Sequence, residues 1–424
     1  MAFAEIETSD STAINQTGGK TAWGVVLLAI GSGILAAAQL GKVYIGLPSI
    51  QSSFSLSLVD ASWMLSALSF VGLIIATPAG SFAAKLGTKK TVVAGLLIIA
   101  AASAAGGAAT SATWLVITRV VEGLGFVMII VAAPSLIVEV TERSHIRFVL
   151  AAWAGFMPGG IALATLLAPY VLQSYSWRAV WFIDAAILVV FALLLSVTRA
   201  QPLTTIRRAT AFRPWQQLGA VITAPGPVIL ALIFGTYTLQ HLGIMGLLAS
   251  VLIENYKATP DGAGLFVSTA MTANILGNLA AGVLLQKGVR RSTLIGGTSL
   301  VMIVMAFGMF SAHLPLSGVY VCCFLFSCVG GIIPGTVLSA PPFYAPRTEL
   351  IPATNGLLVQ GSNLGIVFGP PLISALAARA GWNWVPALVV VAASTATALG
   401  FIVNRYASSN LNDGKIEAGD VPMH

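Results

Sequence analysis

The sequence is short of charge. Only 8% of its 424 residues are Asp, Glu, Lys or Arg, where a soluble globular chain carries about 25%. A chain this poor in charge cannot cover a water-facing surface, so it belongs in lipid. Cysteine is nearly absent. Cys322, Cys323 and Cys328 all fall in one apolar run, which excludes a disulfide frame or metal centre and leaves them as small core residues. The sequence has no phosphate loop of the form GxxxxGKS or GxxxxGKT, no HExxH pair and no CxxC repeat. It therefore reads as a non-enzyme without cofactor or metal, and energy for any work must come from a gradient or from exchange. Strict apolar–polar alternation is missing as well, which excludes an outer-membrane barrel. Residues 1–20 hold Glu5, Glu7 and Asp10 but no basic segment leading into an apolar core. They are expected to form a disordered cytoplasmic tail, not a secretory signal.

What is present is hydrophobic length. The chain is 57% hydrophobic, with a mean hydropathy of +0.91. Twelve runs can cross a bilayer as helices, at about 22–47, 61–83, 90–111, 113–137, 148–172, 179–198, 226–250, 262–285, 292–312, 316–340, 353–376 and 383–404. With the N-terminus inside, nearly all Lys and Arg fall on cytoplasmic segments, and the outer loops hold only Arg178, Lys257 and Arg379. This positive-inside pattern puts both termini in the cytoplasm. It also accounts for the net charge of +7 without nucleic acid, because the basic excess is spread over many short loops. The basic segment at 199–224 divides the spans six and six. The expected order is a tail at 1–20, a bundle at 21–198, a linker at 199–224, a second bundle at 225–405 and a tail at 406–424.

The chain is organised around Leu115 to Pro134, an apolar stretch that nonetheless holds Arg119 and Glu122. Charges at membrane depth are costly unless paired or wet, and mark functional sites. Three residues apart on one helix face, these two can pair, and Gly123 and Gly125 allow another helix to approach. The halves also repeat. Gly80 to Lys90 (GSFAAKLGTKK) follows the second span and Gly282 to Arg291 (GVLLQKGVRR) follows the eighth. Parallel repeats of this kind are a transporter architecture, with the substrate site between the halves.

These features resemble the major facilitator superfamily. The loop after span two matches that family's motif at Gly80, Lys85, Gly87, Lys89 and Lys90, but Ala84 stands where the family has an Asp that helps latch the cytoplasmic side. A second motif matches at Leu115, Arg119 and Gly123, with Glu122 at the usual Gln position. The resemblance covers about residues 20–405. It implies an all-α membrane protein with 12 transmembrane helices in two pseudo-symmetric six-helix bundles. Spans one, two, four, five, seven, eight, ten and eleven would line a cavity, and three, six, nine and twelve would be peripheral. A narrower resemblance, carried by Glu122–Phe126, Gly330–Pro346 and Asn355–Leu376, points to the cyanate-permease and nitroimidazole-transporter branch, whose members are thought to move small anions or small polar organics.

Candidate residues follow. Lys42 and Gln39 form a polar stripe in span one at the depth of Arg119. With both cations facing the cavity, the first half would carry positive potential and favour an anion, gripped by Arg119 in a fork and by Lys42 as a point charge. Glu122 is the candidate proton carrier. Asp184 reads as an outer-belt residue that partners Arg178. In the second half, Tyr237 and His241 share a face of span seven. Asn274 with Asn278, and Gln360 with Asn363, make polar stripes that either touch substrate or bond helices together. Trp63, Trp153 and Met157 are candidate apolar walls. Gly80, Lys85, Gly87 and Lys89 are candidate gating residues, and Pro158, Gly159 and Pro370 mark flexing points or static kinks. The expected function is proton-coupled uptake of a small anion, an organic carboxylate or cyanate-like species, across a bacterial inner membrane by a monomer. A drug/proton antiporter and a non-transporting receptor stand as alternatives. Besides substrate, the expected partners are protons and the lipid bilayer.

Overall fold

The structure, a computed structural model, describes residues 20–198, 203, 214–311, 314–347 and 350–412. Side chains are described except at 77–85, 147, 151, 214, 215, 217 and 404–412. Among the described residues, twelve helices are long and apolar enough to cross a membrane. Spans 1 to 6 are Trp23–Phe54, Leu58–Leu86, Thr88–Gly107, Ala112–Glu139, the pair Ile146–Ala154 and Phe156–Ser174, and Trp177–Val197. Spans 7 to 12 are Pro225–Tyr256, Pro260–Gln286, Arg291–Met309, the pair Leu316–Gly330 and Ile332–Leu338, Ile351–Ala380, and Val385–Asn412. Among the described residues no strand interrupts them, and the protein is an all-α, multi-pass membrane protein of twelve spans in two six-helix bundles.

The halves echo each other in detail. Spans 1 and 7 are both 32 residues long and both end on a left-handed residue, Ser55 at φ 52° and Lys257 at φ 55°. They run past the expected ends because hydropathy registers only the lipid-facing part of a helix. Span 1 continues through Pro48 into the polar turn Ser49–Phe54. Spans 5 and 10 are each broken at a glycine, and both breaks read GxxPG: Gly155 to Gly159 and Gly331 to Gly335. The proline is the third residue of the new helix, where no N–H is required.

Span 2 packs along span 11 and span 5 along span 8, and these contacts, with that of span 1 on span 7, join the halves. Spans 3, 6, 9 and 12 lie outside; span 6 packs on spans 3, 1 and 5. Gly123 of span 4 allows span 2 to come close, since a Cβ there would collide with the Leu68 carbonyl.

One end of the bundle carries the connections rich in Lys and Arg, here termed the basic end. The opposite, far end is closed. Leu35 to Leu47 of span 1 and Gln240 to Leu252 of span 7 are buried on every side. The Gly246 backbone lies against Tyr44 and Leu65, and Gly264 against Pro169. The Ser62 and Ser374 hydroxyls meet at 3.0 Å, and Ser66 donates to the Ile366 carbonyl at 3.3 Å. At the basic end, the segment between the halves contains a helix, Pro214–Ile222. Its fully buried Val221 packs with Leu350 and Ala353 at the start of span 11.

Candidate transport site

The first bundle closes around four charged side chains. Lys42 of span 1 is 2% exposed and stands at the centre. Its Nζ donates to Gln39 Oε1 at 2.5 Å, Ser103 Oγ at 2.9 Å, Glu122 Oε1 at 3.0 Å and Asp184 Oδ2 at 3.1 Å, and lies 4.7 Å from the Trp181 ring centre. Glu122 is shared: its other oxygen accepts from Arg119 Nη1. Arg119 also donates Nε to the Met64 carbonyl of span 2 at 3.4 Å, and its Nη2 has no hydrogen-bond partner among the described residues. Burial explains the crowding. Desolvated charges are tolerable only when paired and hydrogen-bonded, and spans 1, 3, 4 and 6 each contribute to the pairing.

This arrangement corrects two expectations. Asp184 does not partner Arg178. Arg178 donates to the Ala109 carbonyl at 2.8 Å and stacks 4.5 Å from Trp177, while Asp184 turns inward to Lys42. The expected positive potential also fails. Asp184 supplies a second carboxylate, so two cations face two anions and the cluster is neutral as a set.

The second bundle brings Tyr237, His241 and Asn274 together. Asn274 Nδ2 donates to Tyr237 Oη and to the Ser327 carbonyl, each at 2.9 Å, and His241 Nε2 meets Ser327 Oγ at 2.9 Å. The Tyr237 and His241 rings stack at 5.1 Å. Asn278 Nδ2 donates back to the Asn274 carbonyl at 3.1 Å. Beside this network, Gln240 is fully buried, with no partner among the described residues for either amide atom. Gln360 and Asn363 lie elsewhere, on the seam between spans 2 and 11. Gln360 donates to the Leu73 and Ile74 carbonyls, each at 3.2 Å, and Asn363 lies against Gly72 while donating to its own helix at Val359. Trp153 stacks on Phe156 at 4.5 Å, Met157 is half-buried, and Trp63 is exposed.

Of the gating candidates, Gly87 adopts φ +90°, which L side chains rarely adopt, so the turn from span 2 to span 3 depends on glycine there. Gly80 lies within the span 2 helix, and the Lys85 side chain lies outside the described residues. Lys89 caps span 6 through the Ser196 and Thr198 carbonyls. Pro158 and Gly159 belong to the break at Gly155, whereas Pro370 sits inside the unbroken helix of span 11. In the second half, Arg291 binds the Thr336 carbonyl and Ser339 at the end of span 10. Burial raises the nearby Tyr344 phenol above its ordinary range, and the Arg291 guanidinium opposes this.

Sequence reasoning missed Ser103, Gln240 and Ser327. Gln240 carried a signal, as an amide beside His241 in an apolar span. Ser103 and Ser327 carried none.

Residues 23–245 and 228–421 each match the Major Facilitator Superfamily. Among known proteins, the chain is 25% identical over 149 residues to the methyl viologen resistance protein SmvA of Salmonella typhimurium, covering 35% of this chain and 30% of that protein. It is 27% identical over 268 residues to the multidrug efflux pump LfrA of Mycolicibacterium smegmatis, covering 60% of this chain and 50% of that one. The matches thus span half or less of these relatives' own length. In fold it is similar to a bacterial homolog of the human lysosomal transporter Spinster, solved in an inward-facing and occupied conformation. That likeness has a TM-score of 0.71 at 15% identity, over 96% of this chain and 100% of the other.

Proposed function

Because the chain belongs to the Major Facilitator Superfamily and is therefore a transporter, we propose that it exports organic cations or other lipophilic organic compounds in exchange for protons. One observation carries the reading: Lys42 is bonded to both Glu122 and Asp184 in a buried, neutral cluster that also holds Arg119. Such a cluster presents no net positive field to an anion, and its carboxylates can exchange a proton. The resistance and efflux roles in the names of SmvA and LfrA support the same reading. The substrate would pass between the halves, and its flat apolar surfaces would suit the half-buried Phe156 and Met157 of span 5.

In this reading the basic end faces the cytoplasm of a bacterial inner-membrane protein, both termini are cytoplasmic, and the protein works as a monomer. The closed far end then makes the conformation inward-facing. Glu122 is the proton carrier: protonation would leave Arg119 and Lys42 in excess and raise the local positive charge, which disfavours a bound organic cation. Release of the cation and uptake of the proton are thereby linked.

A second reading retains one observation. Arg119 Nη2 is buried without a partner among the described residues, as it would be if it received a carboxylate or cyanate-like anion during proton-coupled uptake. The two readings separate in proteoliposomes carrying an imposed pH gradient. Ethidium movement opposite to protons, with no flux of cyanate or small carboxylates, is the expected result. Anion flux with protons and none of ethidium would overturn the export reading. Ethidium binding without any flux would make the protein a receptor.

A further inference from the structure

Four acceptors crowd one ammonium. Gln39, Ser103, Glu122 and Asp184 all lie within 3.1 Å of Lys42 Nζ, yet an ammonium has three N–H donors. With both carboxylates ionised, the fourth acceptor is left to the Ser103 hydroxyl, whose Oγ lies 3.3 Å from Asp184 Oδ2 as its donor. A proton taken up from water at Asp184 would release that hydroxyl. Ser103 then donates its hydroxyl proton to the Trp181 carbonyl at 2.9 Å and also accepts from Lys42. The three ammonium protons then go to Gln39, Ser103 and Glu122.

The two carboxylates are not equivalent. Glu122 is 0% exposed and held by Arg119 as well as Lys42, whereas the Asp184 side chain is 13% exposed and has Lys42 as its cation. The ionisable groups around Asp184 are Lys42 from span 1, with Glu122 and Arg119 beyond it on span 4. Among the described side chains, spans 3 and 5 contribute none at this level: Lys89 and Lys90 sit at the basic end of span 3, and Tyr170 near the far end of span 5. Arg178, on the same span, is occupied at the Ala109 carbonyl. Span 6 packs chiefly on spans 1, 3 and 5, all of the first half.

We infer that Asp184 is the residue that loads the transported proton, from the flank of the first bundle and off the path between the halves, with Ser103 and Lys42 relaying its state to Glu122. This rests on the proton-coupled reading above. The first test labels the wild-type protein in liposomes with dicyclohexylcarbodiimide, which attacks protonated carboxyls in apolar surroundings, and maps the adduct by mass spectrometry. The adduct is expected on Asp184, increasing as pH falls. An adduct on Glu122 alone, or on neither, overturns the inference. The second test measures ethidium movement driven by a pH gradient. D184N is expected to fall to the level of empty liposomes at an unchanged melting temperature, and D184E to recover the pH profile. If wild type pumps ethidium and D184N pumps equally, the inference fails while the exporter reading stands. If wild type does not pump but Asp184 labels with pH, the exporter reading fails and the proton site stands.

Discussion

Replacing Lys42 by Met should expose how much of the first bundle hangs on one ammonium. Among the described residues, the substitution takes from Asp184 its one paired cation and from Glu122 one of two. Removing one partner of a buried ion pair costs about 3–5 kcal/mol, because a charge is left uncompensated. Here the loss should be near about 4 kcal/mol, since Glu122 keeps Arg119 and Asp184 retains some contact with its surroundings. Asp184→Asn alone should cost under about 1 kcal/mol, because Lys42 keeps three acceptors for its three protons. The double variant no longer strands a carboxylate, so it should lose only about 2–3 kcal/mol, a coupling of about 2 kcal/mol between the two sites. Unfolding titrations in mixed micelles with increasing dodecyl sulfate measure all four corners of the cycle. Losses that add to within about 0.5 kcal/mol would refute the reasoning, since they would show that Lys42 and Asp184 do not interact energetically despite their 3.1 Å separation.

Gly123→Val should lower the melting temperature and slow transport, because its side chain would have to displace the Leu68 carbonyl of span 2; overpacking of this kind costs about 1–3 kcal/mol, and an unchanged melting curve would contradict the close approach. Gln240→Leu removes a buried amide with no partner among the described residues and should leave stability equal or higher; a loss of more than about 1 kcal/mol would mean that its hydrogen bonds are completed by groups other than these residues. Cysteines at both Ser62 and Ser374, in a background with the three native cysteines replaced, should form a disulfide under oxidation, since the two hydroxyls lie 3.0 Å apart. That bond should lock the far end shut and stop transport until a reductant is added; full transport with the bond formed would show that this end does not open.

The twelve spans were legible because lipid leaves a signal in composition: long apolar runs and basic loops on one side. Lys42, Arg119 and Glu122 were legible for the same reason, as charges where charge is expensive. Their partners were not. Asp184 is 142 residues from Lys42, and nothing in either local sequence reports that spans 1 and 6 bring them together, so Asp184 read as a neighbour of Arg178. Ser103 sits in a run of alanines and gives no sign that its hydroxyl receives a lysine. The motif GFMPGG announced a special point in span 5. That the helix parts at Gly155, with Pro158 in the next helix's first turn, depends on a backbone geometry that composition does not encode.

The two GxxPG breaks carry a consequence for how the basic end opens. Proline lacks the N–H that would bond to the carbonyl four residues back, so the Ala154 and Gly330 carbonyls each miss that bond, and the joints are held by fewer bonds, among them Gly159 N–H to the Gly155 carbonyl at 3.0 Å and Gly331 N–H to the Ser327 carbonyl at 3.1 Å. Both breaks rest on the same turn of span 8: Gly155 faces Ile275, and Gly331 lies on Asn274 and Asn278. The pieces beyond them, Ile146–Ala154 in one half and Ile332–Leu338 in the other, are short flaps hung from a common jamb. The two joints thus share one seat, so a shift of span 8 would reach a segment at the basic end of each half at once.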